Sequence, residues 1–163
     1  MAYFGAKRCQ QTIPQDRMKT WRSVVHSGVL YNNRANAIQK MLLEGIRDAN
    51  IPVAILKGTS CSRYYHYPDT RPLGDIDILI DKENLDIVDT YLRGQGYVAS
   101  NSEHDFHIGY YGEKTVVEVH FAGTTVPARK GGYDVLNEMK LFPEQVELAT
   151  IGEMSFLVLS DAH

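Results

Sequence analysis

Apolar positions recur at helical spacing toward the end of the stretch 16–50, where Ala35, Ile38, Leu42, Gly45 and Ile46 share one side. This predicts a long helix, bent or broken near Gly28. Pro52 stops it, and IPVAIL (51–56) reads as a buried strand. KGTS turns the chain into a short helix within 59–66, YPDTRPLG is a loop with two prolines, and a strand follows over 75–80. In KENLDIVDTYLRGQG, Leu85, Val88 and Leu92 mark one side of an amphipathic helix that Gly94 or Gly96 ends. YVAS, FHIGYY and TVVEVHF read as strands, with GEK (112–114) as the hairpin turn between the last two. EMSFLVLSDAH (153–163) predicts the first turns of an apolar helix.

Helices alternating with strands of both kinds of connection define an α/β (α+β) chain with a mixed sheet. Three parts are expected: an N-terminal helical segment (1–50), a core (51–150), and the start of a C-terminal helix (151–163). That last helix breaks off uncapped, which suggests either a piece of a longer chain or a segment that docks on a partner. The 163 residues suffice for one domain with a real core. Composition is that of a soluble globular protein, 44% apolar and 23% charged, with no run approaching the ~18 apolar residues of a membrane span. Cys9 and Cys61 lack CxxC spacing, which points to reduced thiols, a cytoplasmic location and no zinc site. A net charge of −3 and a pI near 6.0 disfavour a protein that grips nucleic acid by charge.

The segment GDIDILI (74–80) carries the first chemical signal. Side chains at i and i+2 of a strand face the same way, with Cα atoms roughly 6.6 Å apart. Asp75 and Asp77 would therefore project together, opposite Ile76, Ile78 and Ile80. Two carboxylates at that distance repel, and partial burial raises a pKa unless a cation lies between them. A divalent metal such as Mg²⁺ satisfies both, although a bare D-x-D is more often a solvated strand side. VVEVH (116–120) strengthens the case, because Glu118 and His120 share one face of their strand. If that strand lies beside 75–80, Glu118 adds a third carboxylate that could also act as a general base. His120 on the same face could orient Glu118 or contact substrate, whereas His104 and His107, at i and i+3, do not form a strand-face metal pair.

ILKGTS runs from a strand into a glycine turn. Gly58 permits close backbone approach, Thr59 and Ser60 offer hydroxyls, and Lys57 could reach a phosphate from the strand end. The glycine-rich run of a P-loop is missing.

Together LKGTS, RPLGDIDILI and VVEVH resemble the nucleotidyltransferase superfamily of the DNA polymerase beta type. They are closer still to an uncharacterised bacterial family with LKG, R-x-x-G-D-I-D and E-x-H segments. The resemblance spans about residues 35–125. It implies a mixed-sheet nucleotidyltransferase core flanked by helices, with Asp75, Asp77 and Glu118 as catalytic residues holding Mg²⁺ or Mn²⁺. It further implies a nucleotide site of Lys57, Gly58, Thr59, Ser60, Arg71 and Gly74, with Arg71 paired to phosphate and His120 on the substrate side. The implied partners are an NTP and a hydroxyl-bearing acceptor, and the implied reaction releases pyrophosphate. Three alternatives stay open. One is a non-catalytic nucleotide- or partner-binding domain of the same fold. Another is a toxin-type nucleotidyltransferase of an abortive-infection or toxin–antitoxin system. A D-x-D glycosyltransferase is the third, but it leaves the KG-[ST] turn and Glu118 unexplained. Mutual repulsion of the carboxylates also leads one to expect that Asp77→Asn would slightly stabilise the metal-free fold.

Overall fold

A computed structural model of the chain describes residues 2–8, 13–101, 106–121 and 146–160. Two helices come first, α1 (Ala2–Arg8) and α2 (Gln15–Asp48), followed by strand β1 (Ala54–Ile55) and a single helical turn, α3 (Thr59–Ser62). Strand β2 (Ile76–Leu79) and helix α4 (Leu85–Gly94) come next, then β3 (Val98–Ala99), β4 (His107–Tyr111) and β5 (Val116–His120). The chain closes with β6 (Val146–Ile151) and β7 (Met154–Leu159). All seven strands join one mixed sheet in the order β3-β4-β5-β2-β1-β7-β6.

Strand β2 lies at the centre, parallel to β5 and antiparallel to β1, with all four of its residues buried. Its even-numbered isoleucines, with Ile55, Val117 and Val119, face Leu42, Leu43 and Ile46 of α2 and Val88 and Leu92 of α4. Burying each such aliphatic side chain stabilises the fold by roughly 1.5–3 kcal/mol. The isoleucine alternation thus sends one face of the sheet into the core and leaves Asp77, Glu118 and His120 on the other.

The break expected near Gly28 is absent: α2 runs unbroken for 34 residues. Glycine weakens a helix by only about 1 kcal/mol, too little to interrupt one whose second half is anchored by Ala35, Leu42, Leu43 and Ile46. Gly45 has a specific use, since a Cβ there would collide with the Tyr91 side chain of α4.

The helix expected over 153–163 is instead strand β7 across its described part. It pairs parallel with β1 and antiparallel with β6, through a two-residue turn in which Gly152 takes φ +59°. Met154, Phe156 and Val158 alternate toward the core. A short apolar run such as FLVL fits a buried strand or a helix equally well in isolation; the open parallel slot beside β1 decides. The 59–66 helix shrinks to α3, and the strand expected over 75–80 begins at Ile76. Among the described residues, no helix is long and apolar enough to cross a membrane.

Helix α4 is tied to the sheet by a polar contact at the edge of the apolar layer. The hydroxyl of Tyr110, fully buried, donates to Asp89 Oδ1 at 2.9 Å, and Arg93 Nε donates to Asp89 Oδ2 at 2.7 Å. The Arg93 bond, outweighing burial and helped by Tyr110, holds the Asp89 carboxyl below its ordinary range. Asp89→Ala is expected to lower stability by about 1–3 kcal/mol, because it leaves a buried hydroxyl without a partner. Tyr110→Phe, which removes that hydroxyl, should cost only about 0.5–1.5 kcal/mol. Urea midpoints of the two variants check the order. A depressed carboxyl stabilises above its unfolded pKa and loses that contribution as pH falls through the folded one. The Asp89→Ala deficit should therefore shrink in acid.

Candidate active site

Parallel pairing of β2 with β5 sets Asp77 directly beside Glu118, and Leu79 beside His120. On the far side of β5, Gly109 faces Glu118 and His107 faces His120. Gly109 therefore puts no side chain over Glu118, and the rings of His107 and His120 stack at 5.2 Å. Asp77 is only 2% exposed. Its Oδ1 accepts Lys57 Nζ at 2.8 Å and lies 3.2 Å from His120 Nε2. His120 Nε2 is also 3.5 Å from Glu118 Oε2. One ligand atom from each of Asp77, Glu118 and His120 falls within 4.8 Å of the others.

The two carboxyls of this pair titrate in opposite directions. Burial alone would push Asp77 up, but hydrogen bonds from His120 and Lys57, with their charges, bring it below its ordinary value. Glu118 is pushed up by burial first and then by the charges of Asp77 and Asp75, with Lys57 offsetting part of this. Lys57 is raised chiefly by its bond to Asp77, against partial desolvation. Asp77 is thus held ionised while Glu118 is made more basic, the division of labour expected of an anchor beside a base.

Asp75 differs from the sequence expectation. It occupies a bend just before β2 and is exposed, so it does not share the strand with Asp77. Its charge still reaches both Lys57 and Glu118. With Gly74 it lines a cleft of about 570 Å³ walled by Tyr31 of α2 and the β4–β5 turn, including Lys114 and Thr115.

The turn after β1 is held from inside. Gly58 takes φ +58°, a conformation that L side chains rarely adopt, and a Cβ there would stand 3.8 Å from the Asp75 carbonyl oxygen. Thr59 is buried, its hydroxyl 3.0 Å from Asn36 Oδ1 and 3.1 Å from Gln39 Oε1, so it is turned toward α2. Ser60 is buried as well, and its N–H donates to Lys57 O. Of the turn residues read as phosphate contacts, Lys57 alone extends a long side chain into solvent, 59% exposed. Arg71 sits in the loop before β2 with its guanidinium 5.9 Å from the Tyr65 ring. His104 lies outside the described residues.

Asn32, Asn36 and Gln39 were not legible as site residues, although their spacing places them in line with the buried stripe of α2. Asn32 Nδ2 donates to the carbonyls of Asp69 and Arg71, each at 2.7 Å, and its Oδ1 accepts Leu73 N–H at 3.1 Å.

The donor set, two carboxylates and an imidazole on one sheet face beside an exposed third carboxylate, fits a divalent ion. Oxygen donors suit Mg²⁺, and a nitrogen donor is compatible with Mn²⁺. The mixed sheet thus carries acidic residues on paired central strands, next to a strand–glycine–helix turn. The chain belongs to the family described as "Uncharacterised nucleotidyltransferase", whose model matches residues 2–163. Two solved structures share the fold. ANT(2")-Ia in complex with adenylyl-2"-tobramycin superposes with a TM-score of 0.55 at 17% identity, over 78% of this chain and 70% of that one. The lincomycin-bound lincosamide antibiotic adenylyltransferase LnuA gives a TM-score of 0.52 at 13% identity, over 74% of this chain and 77% of that one. No curated protein matches the sequence significantly.

Proposed function

We propose that this nucleotidyltransferase moves a nucleoside monophosphate from an NTP to a hydroxyl of a small acceptor, with Mg²⁺ or Mn²⁺ as cofactor. The observation that carries the reading is the in-register pairing of Asp77 with Glu118 on two central parallel strands, with Lys57 and His120 on the same carboxylate. Asp77 and Glu118, joined by Asp75 from the strand edge, would hold the metal. When bound, it neutralises charge developing on the phosphates. Glu118 takes the proton of the acceptor hydroxyl. The hydroxyl oxygen bonds to the α-phosphorus, and the bond from that phosphorus to the bridging oxygen breaks. Pyrophosphate leaves with the bond's electron pair. Lys57 and Arg71 pair with phosphate oxygens, and the Gly58 turn lets the triphosphate approach the backbone. Thr59 serves the turn's structure, and His120 orients Asp77 and Glu118.

Acceptor and base preference are open to direct test. ANT(2")-Ia is bound to an adenylylated tobramycin and LnuA is an adenylyltransferase bound to lincomycin, so ATP with antibiotic hydroxyls is the first pair to try. Incubation with each labelled NTP, Mg²⁺ or Mn²⁺ and a panel of hydroxylated acceptors should release pyrophosphate and label one acceptor class. A labelled product that forms equally well in EDTA would remove the metal from the reading.

Binding has its own readout. A ligand that binds only the folded state adds RT ln(1 + [L]/Kd), about 2.7 kcal/mol at 100 Kd. Metal plus the preferred NTP should therefore raise the melting temperature by several degrees. No shift with any of the four NTPs, with or without metal, would count against nucleotide binding.

A further inference from the structure

We propose that α2 is the positioning element of the nucleotide site, with Asn32 and Gln39, assisted by Asn36, fixing the two loops that flank the carboxylates. This rests on the nucleotidyl-transfer reading above. The three residues fall at i, i+4 and i+7, one face of a helix, and continue the apolar stripe that anchors α2 to the core. Asn32 and Gln39 are themselves buried. Two carbonyls on one side of the Asn32 amide and an N–H on the other admit a single orientation of that amide. It thereby replaces strand partners for the loop 69–73, where Pro72 has no N–H to give.

The loop so held carries Arg71 and delivers the chain to Gly74 and Asp75. Gln39 and Asn36 grip Thr59, and with it the turn that follows Lys57. The β1–β2 ladder, extended by Leu56 N–H to Asp77 O at 3.0 Å, already sets Lys57 against the carboxylate strand. Beyond that ladder α2 holds the Thr59 turn and the 69–73 loop, whose own regular structure is a single turn each, Thr59–Ser62 and the 3₁₀ turn Pro68–Thr70. Transfer depends on such spacing, since a displacement of about 1 Å costs on the order of 10²-fold in rate.

The test uses Asn32→Leu, which keeps the branching of the side chain and removes all three bonds. Leu43→Ala is the comparison, because it loosens α2 against the core without touching either loop. Two readouts are taken well below both melting temperatures. The first is hydrogen exchange of peptides covering 67–75. The second is kcat and KM for the NTP that the wild type uses with Mn²⁺. Asn32→Leu should speed exchange in 67–75 and lower kcat/KM by about 10²-fold, with kcat falling as well as KM rising, while Leu43→Ala leaves both near wild type. Unchanged exchange in 67–75 overturns the clamp. Faster exchange with unchanged KM and kcat, or an equal KM rise in Leu43→Ala, overturns its positioning role. A wild-type chain that neither binds nor turns over any of the four NTPs with Mn²⁺ sinks the enzyme reading instead, and exchange alone then decides the clamp.

Discussion

Replacing Asp77 by asparagine is expected to remove nucleotidyl transfer and to lower stability together. Asparagine preserves the shape of the side chain and one acceptor oxygen, but it deletes the charge proposed to anchor the metal. Loss of such an electrostatic anchor lowers turnover by a factor on the order of 10²–10³ or more. The stability effect reverses the sequence expectation. Relief of repulsion would dominate only if the nearest charges were carboxylates. Asp77 Oδ1 instead lies 2.8 Å from Lys57 Nζ and 3.2 Å from His120 Nε2, and the residue is buried. Lys57 can rehydrate once released, being 59% exposed, whereas His120, 12% exposed, cannot do so fully. A net loss of about 1–3 kcal/mol follows. The Asp77 pKa is depressed, so its contribution holds above the ordinary 3.8 and disappears as pH falls through the folded value. The deficit should be full at neutral pH and shrink as pH falls below the ordinary 3.8 and through the depressed folded value. Melts at neutral pH and in acid, paired with pyrophosphate release, check both halves. Full activity of Asp77→Asn on a demonstrated acceptor would sink the metal assignment.

The central strands were legible because local pattern and tertiary role agree there. Isoleucine at 76, 78 and 80 needs a core on one side, and VVEVH alternates in the same way, so both chains declare which face is polar. That Glu118 would stand beside Asp77 needed the parallel pairing, a long-range contact that no local window contains. That Asp75 falls one residue before the strand has the same root. Two-residue alternation assumes the strand already runs at 75, yet the chain is still bending out of the Asn32-held loop there. The C-terminal hairpin was missed for a related reason. FLVL has no period of its own, and the strand it completes, β1, lies about a hundred residues earlier.

The misreading of Thr59 is more instructive. A Gly-Thr-Ser turn offers hydroxyls, and nothing in the turn says which way they point. The answer was in α2, where Asn32, Asn36 and Gln39 interrupt an otherwise apolar stripe at helical phase. A buried amide side chain needs hydrogen-bond partners. Polar residues in phase with Ala35, Leu42 and Ile46 were therefore a signal that some irregular backbone or side chain is held against that helix. Such phase-matched polar positions identify the supporting frame of a site, while the reactive groups themselves lie on the sheet.

Glu118→Gln should part stability from activity in the opposite direction. Among the described residues, Glu118 has no cation as close as Lys57 is to Asp77. Its carboxyl is raised by burial and by the charges of Asp77 and Asp75. A raised carboxyl means that the ionised form is disfavoured in the folded state, so at neutral pH Glu118 destabilises the metal-free fold. That penalty is absent below the unfolded value near 4.5 and grows as pH rises through the folded one. Glutamine keeps the shape, cannot ionise and still offers an oxygen to His120. The variant should therefore melt higher than wild type at pH 7 without metal, with the gain fading at pH 4. Transfer should fall by about 10²–10⁴-fold, the span of a lost general base. If Glu118 serves chiefly as base, NTP still binds the variant, so the nucleotide-induced melting shift persists while product disappears. Lower melting of Glu118→Gln at pH 7 would mean that its carboxylate is compensated in the fold, and the repulsive cluster that motivates a metal at this face would be lost.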